Sequence, residues 1–118
     1  MTPRALDPIE RELIEWLLND AGSEARAYLA QVPEIRVVGG CPCGCASIDF
    51  EVGDRGKHSR AGLTILADYQ WIAKGGYHLG VFVFAIEGVL AGLEVWSMDG
   101  TYPESVPLPP STEVLSRL

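Results

Sequence analysis

The chain is poor in positive charge. Nine lysines and arginines stand against sixteen aspartates and glutamates, which sets the net charge at −7 and the pI near 4.7. The nine are scattered, so no basic stripe exists to neutralise phosphates, and nucleic acid and anionic membrane are both argued against. The acid surplus serves mainly solubility. Long hydrophobic runs are missing too. The longest, Val81 to Ile86, falls far short of the roughly 20 apolar residues that span a bilayer. No glycine-rich phosphate loop is present: Gly39-Gly40 and Gly75-Gly76 lack the strand-to-helix setting and the Lys-Ser/Thr partner. Histidine is scarce, with only His58 and His78. His58 sits in a Gly/Lys/Arg loop and His78 opens an apolar strand beside Tyr77, and the plain reading of both is a solvated surface residue. Cysteine is scarce as well. There are three, at 41, 43 and 45, with no second pair downstream, so the two-pair zinc-finger pattern is excluded.

What is present is a globular composition, 47% apolar and 21% charged. A chain of 118 residues is expected to form one domain, 1–118. It should bury roughly 65% of its unfolded surface and so needs neither disulfide nor metal to fold. Met1-Thr2-Pro3-Arg4 leads into a charged helix, not an apolar leader. With an odd cysteine count, that predicts a reducing cytoplasmic setting and free or metal-bound thiols.

Three stretches follow one another: a helical part over 1–33, a sheet over 34–100 and a proline-rich extended tail over 101–118. Asp7 reads as an N-cap, Pro8 as the first helical residue, and Glu10 completes a capping box. Ile9, Leu13, Trp16 and Leu17 make an apolar stripe, with Glu10, Arg11, Glu12 and Glu15 on the other face and a stop at Asp20-Ala21-Gly22. Ser23 is placed to cap a second helix, Glu24 to Gln31, with Ala25, Tyr28 and Leu29 inward, ended by Pro33. From Glu34 the period becomes two. Strands are predicted over Ile35–Val38, over Ser47–Val52 with Ile48, Phe50 and Val52 inward, and over Leu63–Ile72. Two more follow, Leu79–Ile86, covered on both faces, and Leu93–Met98. Lys74-Gly75-Gly76, Glu87-Gly88 and Asp99-Gly100 supply turns. No connection is long enough for a helical crossover. The expected fold is therefore α+β, with two N-terminal helices packed on one face of a mainly antiparallel sheet of about five strands. The tail, with Pro103, Pro107, Pro109 and Pro110, should run over the surface and add no central strand; its Pro-x-x-Pro reads as a strap.

The run Cys41-Pro42-Cys43-Gly44-Cys45 is the strongest chemical signal. Thiols at i, i+2 and i+4 can converge on one soft metal ion, pair as a disulfide or line a turn. Pro42 cannot donate to a strand ladder and Gly44 invites a bend, so a tight turn is expected in place of a strand face. Zinc wants four ligands, and the run offers three. The fourth must come from His58, His78, Asp49 or a second subunit. The bland reading is a turn filled by small, soft, partly buried residues. A nucleophilic thiol would further need an activating base and an oxyanion donor. Cys41-Pro42-Cys43-Gly44 resembles the start of the short zinc-binding SEC-C motif, but the lysines and closing Cys-Cys or Cys-His of that motif do not follow, so its function is not carried over. Arg36-Val37-Val38-Gly39 with the cysteine run, together with Gly92 to Gly100, is similar to a group of small uncharacterised bacterial proteins. That likeness implies no activity.

Asp68 and Glu94 on adjacent strands could pair as carboxylates, though solvent-facing positions are the simpler expectation. Tyr69, Trp71, Tyr77, Phe82, Phe84 and Trp96 read as core, as a dimer face or as the lining of an apolar pocket. Trp71 and Trp96 lie near strand ends, where an exposed indole marks an interface. Three functional readings result. The leading one is a non-enzymatic module that binds a protein partner or forms a homodimer. The alternatives are a zinc or thiol site built on Cys41, Cys43 and Cys45 with His58 as fourth ligand, and a small-molecule enzyme with a sheet-lined pocket.

Overall fold

In the computed structural model, which describes residues 2–53 and 62–118, helix α1 spans Pro8–Asp20 and begins as the sequence predicts. The Asp7 carboxylate accepts the Glu10 N–H at 2.8 Å, and the Glu10 carboxylate accepts the Asp7 N–H at 3.0 Å. Arg4 then forks onto both Glu10 oxygens at 2.8 and 3.0 Å. The apolar stripe is rotated from its predicted line. Leu13, Ile14, Leu17 and Leu18 are buried, whereas Ile9 is 68% exposed. Glu10 takes the inward position one residue along, and the helix turns to suit it. Burial pushes the Glu10 carboxyl up, but the Arg4 fork and the Asp7 N–H outweigh it and hold it below its ordinary value.

The second helix is shorter than predicted. Helix α2 is Ser23–Arg26, preceded by Gly22 at φ 128°, and Ser23 caps nothing. A 3₁₀ turn over Leu29–Glu34 follows and contains Pro33. A proline there cannot donate to the preceding turn and disfavours α geometry just before it, so an α-helix through 31 is not sustained.

The sheet has seven strands, not about five. They are β1 Arg4–Ala5, β2 Ile35–Gly40, β3 Ile48–Val52, β4 Leu63–Ala73, β5 Tyr77–Ile86, β6 Val89–Ser97 and β7 Ser116–Arg117. Their order is β1-β2-β3-β6-β5-β4-β7, every neighbouring pair antiparallel. The two additional strands are two-residue edges, too short to show a period. β6 lies between β3 and β5, so the β2–β3 hairpin joins the β4–β5–β6 meander at Ile48↔Leu93 and Asp49↔Gly92.

The helices cover one sheet face. Leu13, Ile14, Leu17 and Leu18 pack with Tyr69, Trp71, Leu79, Val81, Leu93 and Val95 in a single core. Gly92, on the far face, is required by its neighbour: a Cβ there would stand 2.6 Å from the Phe84 ring. Tyr69, 1% exposed, ties the core to the end of α1. Its hydroxyl donates to the Asp20 carboxylate at 2.7 Å, and its ring meets Trp16 edge-on at 5.4 Å. Arg117 of β7 donates to the Asp20 carbonyl, and its Nε lies 3.5 Å from the carboxylate. Among the described residues no helix is long and apolar enough to cross a membrane.

Burial, and then donation to Asp20, push the Tyr69 hydroxyl up to about 12. An unfolded tyrosine ionises near 10, so the folded state favours the neutral phenol. That contribution is complete below about pH 10 and is lost as the pH rises toward about 12. Tyr69→Phe is expected to cost about 1.5–3 kcal/mol at neutral pH, as for a hydrogen bond to a charged group. It should also flatten the alkaline fall in stability, read by urea unfolding across pH 8–11. A variant as stable as the parent would show that the Asp20 contact holds nothing.

Candidate metal centre

The cysteines occupy the loop between β2 and β3. Gly44 N–H donates to the Cys41 carbonyl at 3.1 Å, closing a β-turn with Pro42 in the second position, where its fixed φ is preorganised. Gly44 follows at φ 85°, a conformation a side chain would strain. That reversal carries Cys45 back toward the first two cysteines.

Two long-range anchors hold the loop. Ser47 Oγ accepts the Val95 N–H at 2.9 Å and donates to the Val95 carbonyl at 3.2 Å, so a side chain extends the β3–β6 pairing by one position. From the tail, Ser105 Oγ donates to the Cys43 carbonyl at 2.9 Å, and the Val106 carbonyl accepts the Ala46 N–H at 2.9 Å. The tail thus packs on the cysteine loop through Ser105 and Val106, and beyond that contact forms a 3₁₀ turn at Thr112–Val114 and the edge strand β7. Val106 and Pro109 are buried along it.

The three Sγ atoms lie within 4.8 Å of one another. Cys41 and Cys43 are joined as a disulfide, with Cα atoms 5.2 Å apart, and Cys45 is free. The pairing is among the sequence's alternatives, but it departs from the free or metal-bound thiols expected from the odd cysteine count: adjacent sulfurs on one tight turn leave only Cys45 free. Cys41 and Cys45 are half-buried and Cys43 is exposed. The Cys45 N–H points at the Cys43 sulfur, 3.4 Å away. Reduction of that disulfide frees three thiols on one short loop, the donor type that suits a soft metal ion.

The other predicted ligands fare differently. His58 lies outside the described residues. His78 is exposed on β5 opposite Ile72 and is not part of the sulfur group. Asp49 lines a cleft of about 210 Å³ together with Gly40, Cys41, Pro42 and Glu94. Its carboxylate lies over Gly39, 3.4 Å from where a Cβ would stand. Glu94 is the residue that sequence reasoning misses as a neighbour of the cysteines. Only the β3–β6 pairing, which is not readable from the chain, brings it there.

Asp68 and Glu94 do not form a carboxylate pair. Both oppose Phe82, one from each side, so two strand spacings of roughly 4.8 Å separate their backbones, with the ring between. Asp68 Oδ1 is buried with no hydrogen-bond partner among the described residues, and burial pushes its carboxyl up. The aromatics divide between layers. Tyr69 and Trp71 are in the helix-side core, Phe82 and Phe84 pair at 6.0 Å on the other face, and Tyr77 packs on Tyr102 of the tail. Trp71 is 3% exposed, so of the two strand-end indoles only Trp96, at 39%, reaches solvent.

No family model, no curated protein and no solved structure matches the chain.

Ser47 is 7% exposed and satisfies both backbone groups of Val95. Ser47→Ala leaves that N–H and that carbonyl unpaired, at an expected cost of about 1–3 kcal/mol. Amide exchange at Val95 should accelerate together with that of the cysteine loop. Unchanged protection at Val95 would rule out the anchoring role.

Proposed function

We propose that this protein binds a thiophilic metal ion through Cys41, Cys43 and Cys45. The observation that carries the reading is the approach of all three sulfurs to within 4.8 Å on a loop anchored at Cys43 and at Ser47. Zinc suits the donors when a fourth ligand completes the tetrahedron. The cleft beside Cys41 offers Asp49 or Glu94 for that position, and His58 is the candidate from the preceding expectation. The acid surplus of the chain favours the approach of a cation.

The test uses untagged, reduced protein handled without oxygen. One equivalent of zinc is expected by elemental analysis, with a higher melting temperature than the chelated chain. Even outer-shell partners of metal ligands are worth roughly 10–100-fold in affinity, so Cys45→Ser should weaken binding by at least about tenfold. Uptake below a tenth of an equivalent of zinc, iron or copper, with stability indifferent to chelator, overturns the reading.

A second reading, self-association, has its own observation. Among the described residues the C-terminal strand pairs with β4 at Tyr69 and Gln70 and adds a bond from the Leu118 N–H to the Asp68 carbonyl, while Leu63 and Ile65 earlier on β4 are 39% and 49% exposed. An apolar strand edge of this kind pairs readily with a second copy. A dimer by light scattering is expected, and Ile65→Lys should make it a monomer. A monomeric parent at high micromolar concentration removes this reading.

A further inference from the structure

The cysteine loop has two uses for the same sulfurs, and they exclude one another. A disulfide between Cys41 and Cys43 removes two of the three donors that an ion needs. We propose that the site exchanges with low-molecular-weight disulfides of the glutathione class, so that oxidation closes Cys41–Cys43 and releases the bound ion. The release half of this proposal rests on the metal reading above; the exchange half does not.

The geometry assigns the roles. Cys43 is the attacking thiol. It is the exposed member of the three, so a small disulfide reaches its sulfur first. Cys41 is the resolving thiol. It is half-buried, beyond easy reach of a bulky disulfide, and its Cα lies 5.2 Å from that of Cys43, inside the span a disulfide takes. Cys45 keeps its thiol throughout and serves only as a ligand.

The step balances without any further reactant. The Cys43 thiolate attacks one sulfur of the small disulfide. A Cys43–glutathione bond forms, the original S–S bond breaks, and one glutathione thiolate leaves with the electron pair. The Cys41 thiolate then attacks the Cys43 sulfur, the Cys41–Cys43 bond forms, and the second glutathione thiolate leaves. Two protein sulfurs are oxidised and two glutathione sulfurs are reduced. Excess reduced glutathione runs the sequence backward, and an exposed disulfide is the kind that yields to it.

The experiment takes the 118-residue chain, reduced and loaded with zinc under nitrogen, and adds glutathione disulfide. Zinc release is followed with a chromogenic chelator, and thiols are counted in parallel. Thiols should fall from three to one per chain in step with zinc release, and excess reduced glutathione should restore both. Cys41→Ser should trap a glutathione adduct on Cys43, mapped by peptide mass. Cys43→Ser should slow oxidation by about tenfold or more. Zinc that stays bound after the thiols are lost overturns the release half. An adduct on Cys45 in the Cys41→Ser chain overturns the assignment of roles. A chain that takes up no zinc overturns the metal reading instead, and the Cys43 adduct on the metal-free Cys41→Ser chain still decides the exchange half.

Discussion

The junction between β3 and β6 is the constraint on which the rest of the structure depends. It consists of two register pairs, Ile48↔Leu93 and Asp49↔Gly92, and the Ser47 hydroxyl that carries the pairing one position further. Through it a hairpin from the first half of the chain joins a three-strand meander from the second. The inner residues of both, among them Phe50, Val52, Leu93 and Val95, then form one continuous surface for the helices to cover. The same junction explains Gly92. The Phe84 ring lies across that position, and the Ile48 carbonyl approaches the same point to 3.0 Å, so a side chain has nowhere to go. It also sets the site, because the loop that enters β3 is the cysteine loop, and the strand it meets brings Glu94 beside Cys41.

A second constraint fixes the helix on that surface. A carboxylate is costly to bury unless its partners are in place. Glu10 is 6% exposed and has all of them: the Arg4 fork from β1 and the Asp7 N–H. One side chain therefore joins the helix start to the sheet edge and rotates the helix so that Ile14 and Leu18 face inward in place of Ile9. At the other end, Tyr69 and Arg117 meet at Asp20. The helix is thus held at both termini by polar contacts that a hydrophobic stripe alone does not predict.

Legibility follows the range of the physics. The capping box at Asp7 and Glu10, the alternation of Ile48, Phe50 and Val52, and the glycine turns after Ala73 and Ile86 are signals written within a few residues, and the structure bears them out. The placement of β6 beside β3 involves partners 45 residues apart, Ile48 and Leu93, and nothing local encodes it. The two-residue strands at Arg4 and Ser116 exist only because neighbours offer free backbone groups. In the site, spacing alone announces three sulfurs near one another. Which two are bonded and which one faces solvent depend on the Cys41–Gly44 turn and on a tail that returns from Ser105 and Val106. Of the two carboxylates in the cleft, Asp49 is legible from its place just after the cysteines, whereas Glu94 arrives only through the sheet order.

These contacts also bear on what kind of ion site the loop can be. In many small domains a structural zinc supplies the folding energy, and its loss unfolds the chain. Here the core lies between the helices and the sheet, and the loop adds only Cys45 and Ala46 to its edge. The loop is shaped by hydrogen bonds from Ser47, Ser105 and Val106, none of which passes through sulfur. The backbone of the loop is therefore fixed by contacts that need no ion. A frame of that kind lowers the ordering cost of binding and equally lowers the cost of closing Cys41 onto Cys43. On the proposed metal reading, ion and disulfide compete for the same sulfur atoms, and the redox state of the surroundings decides the outcome.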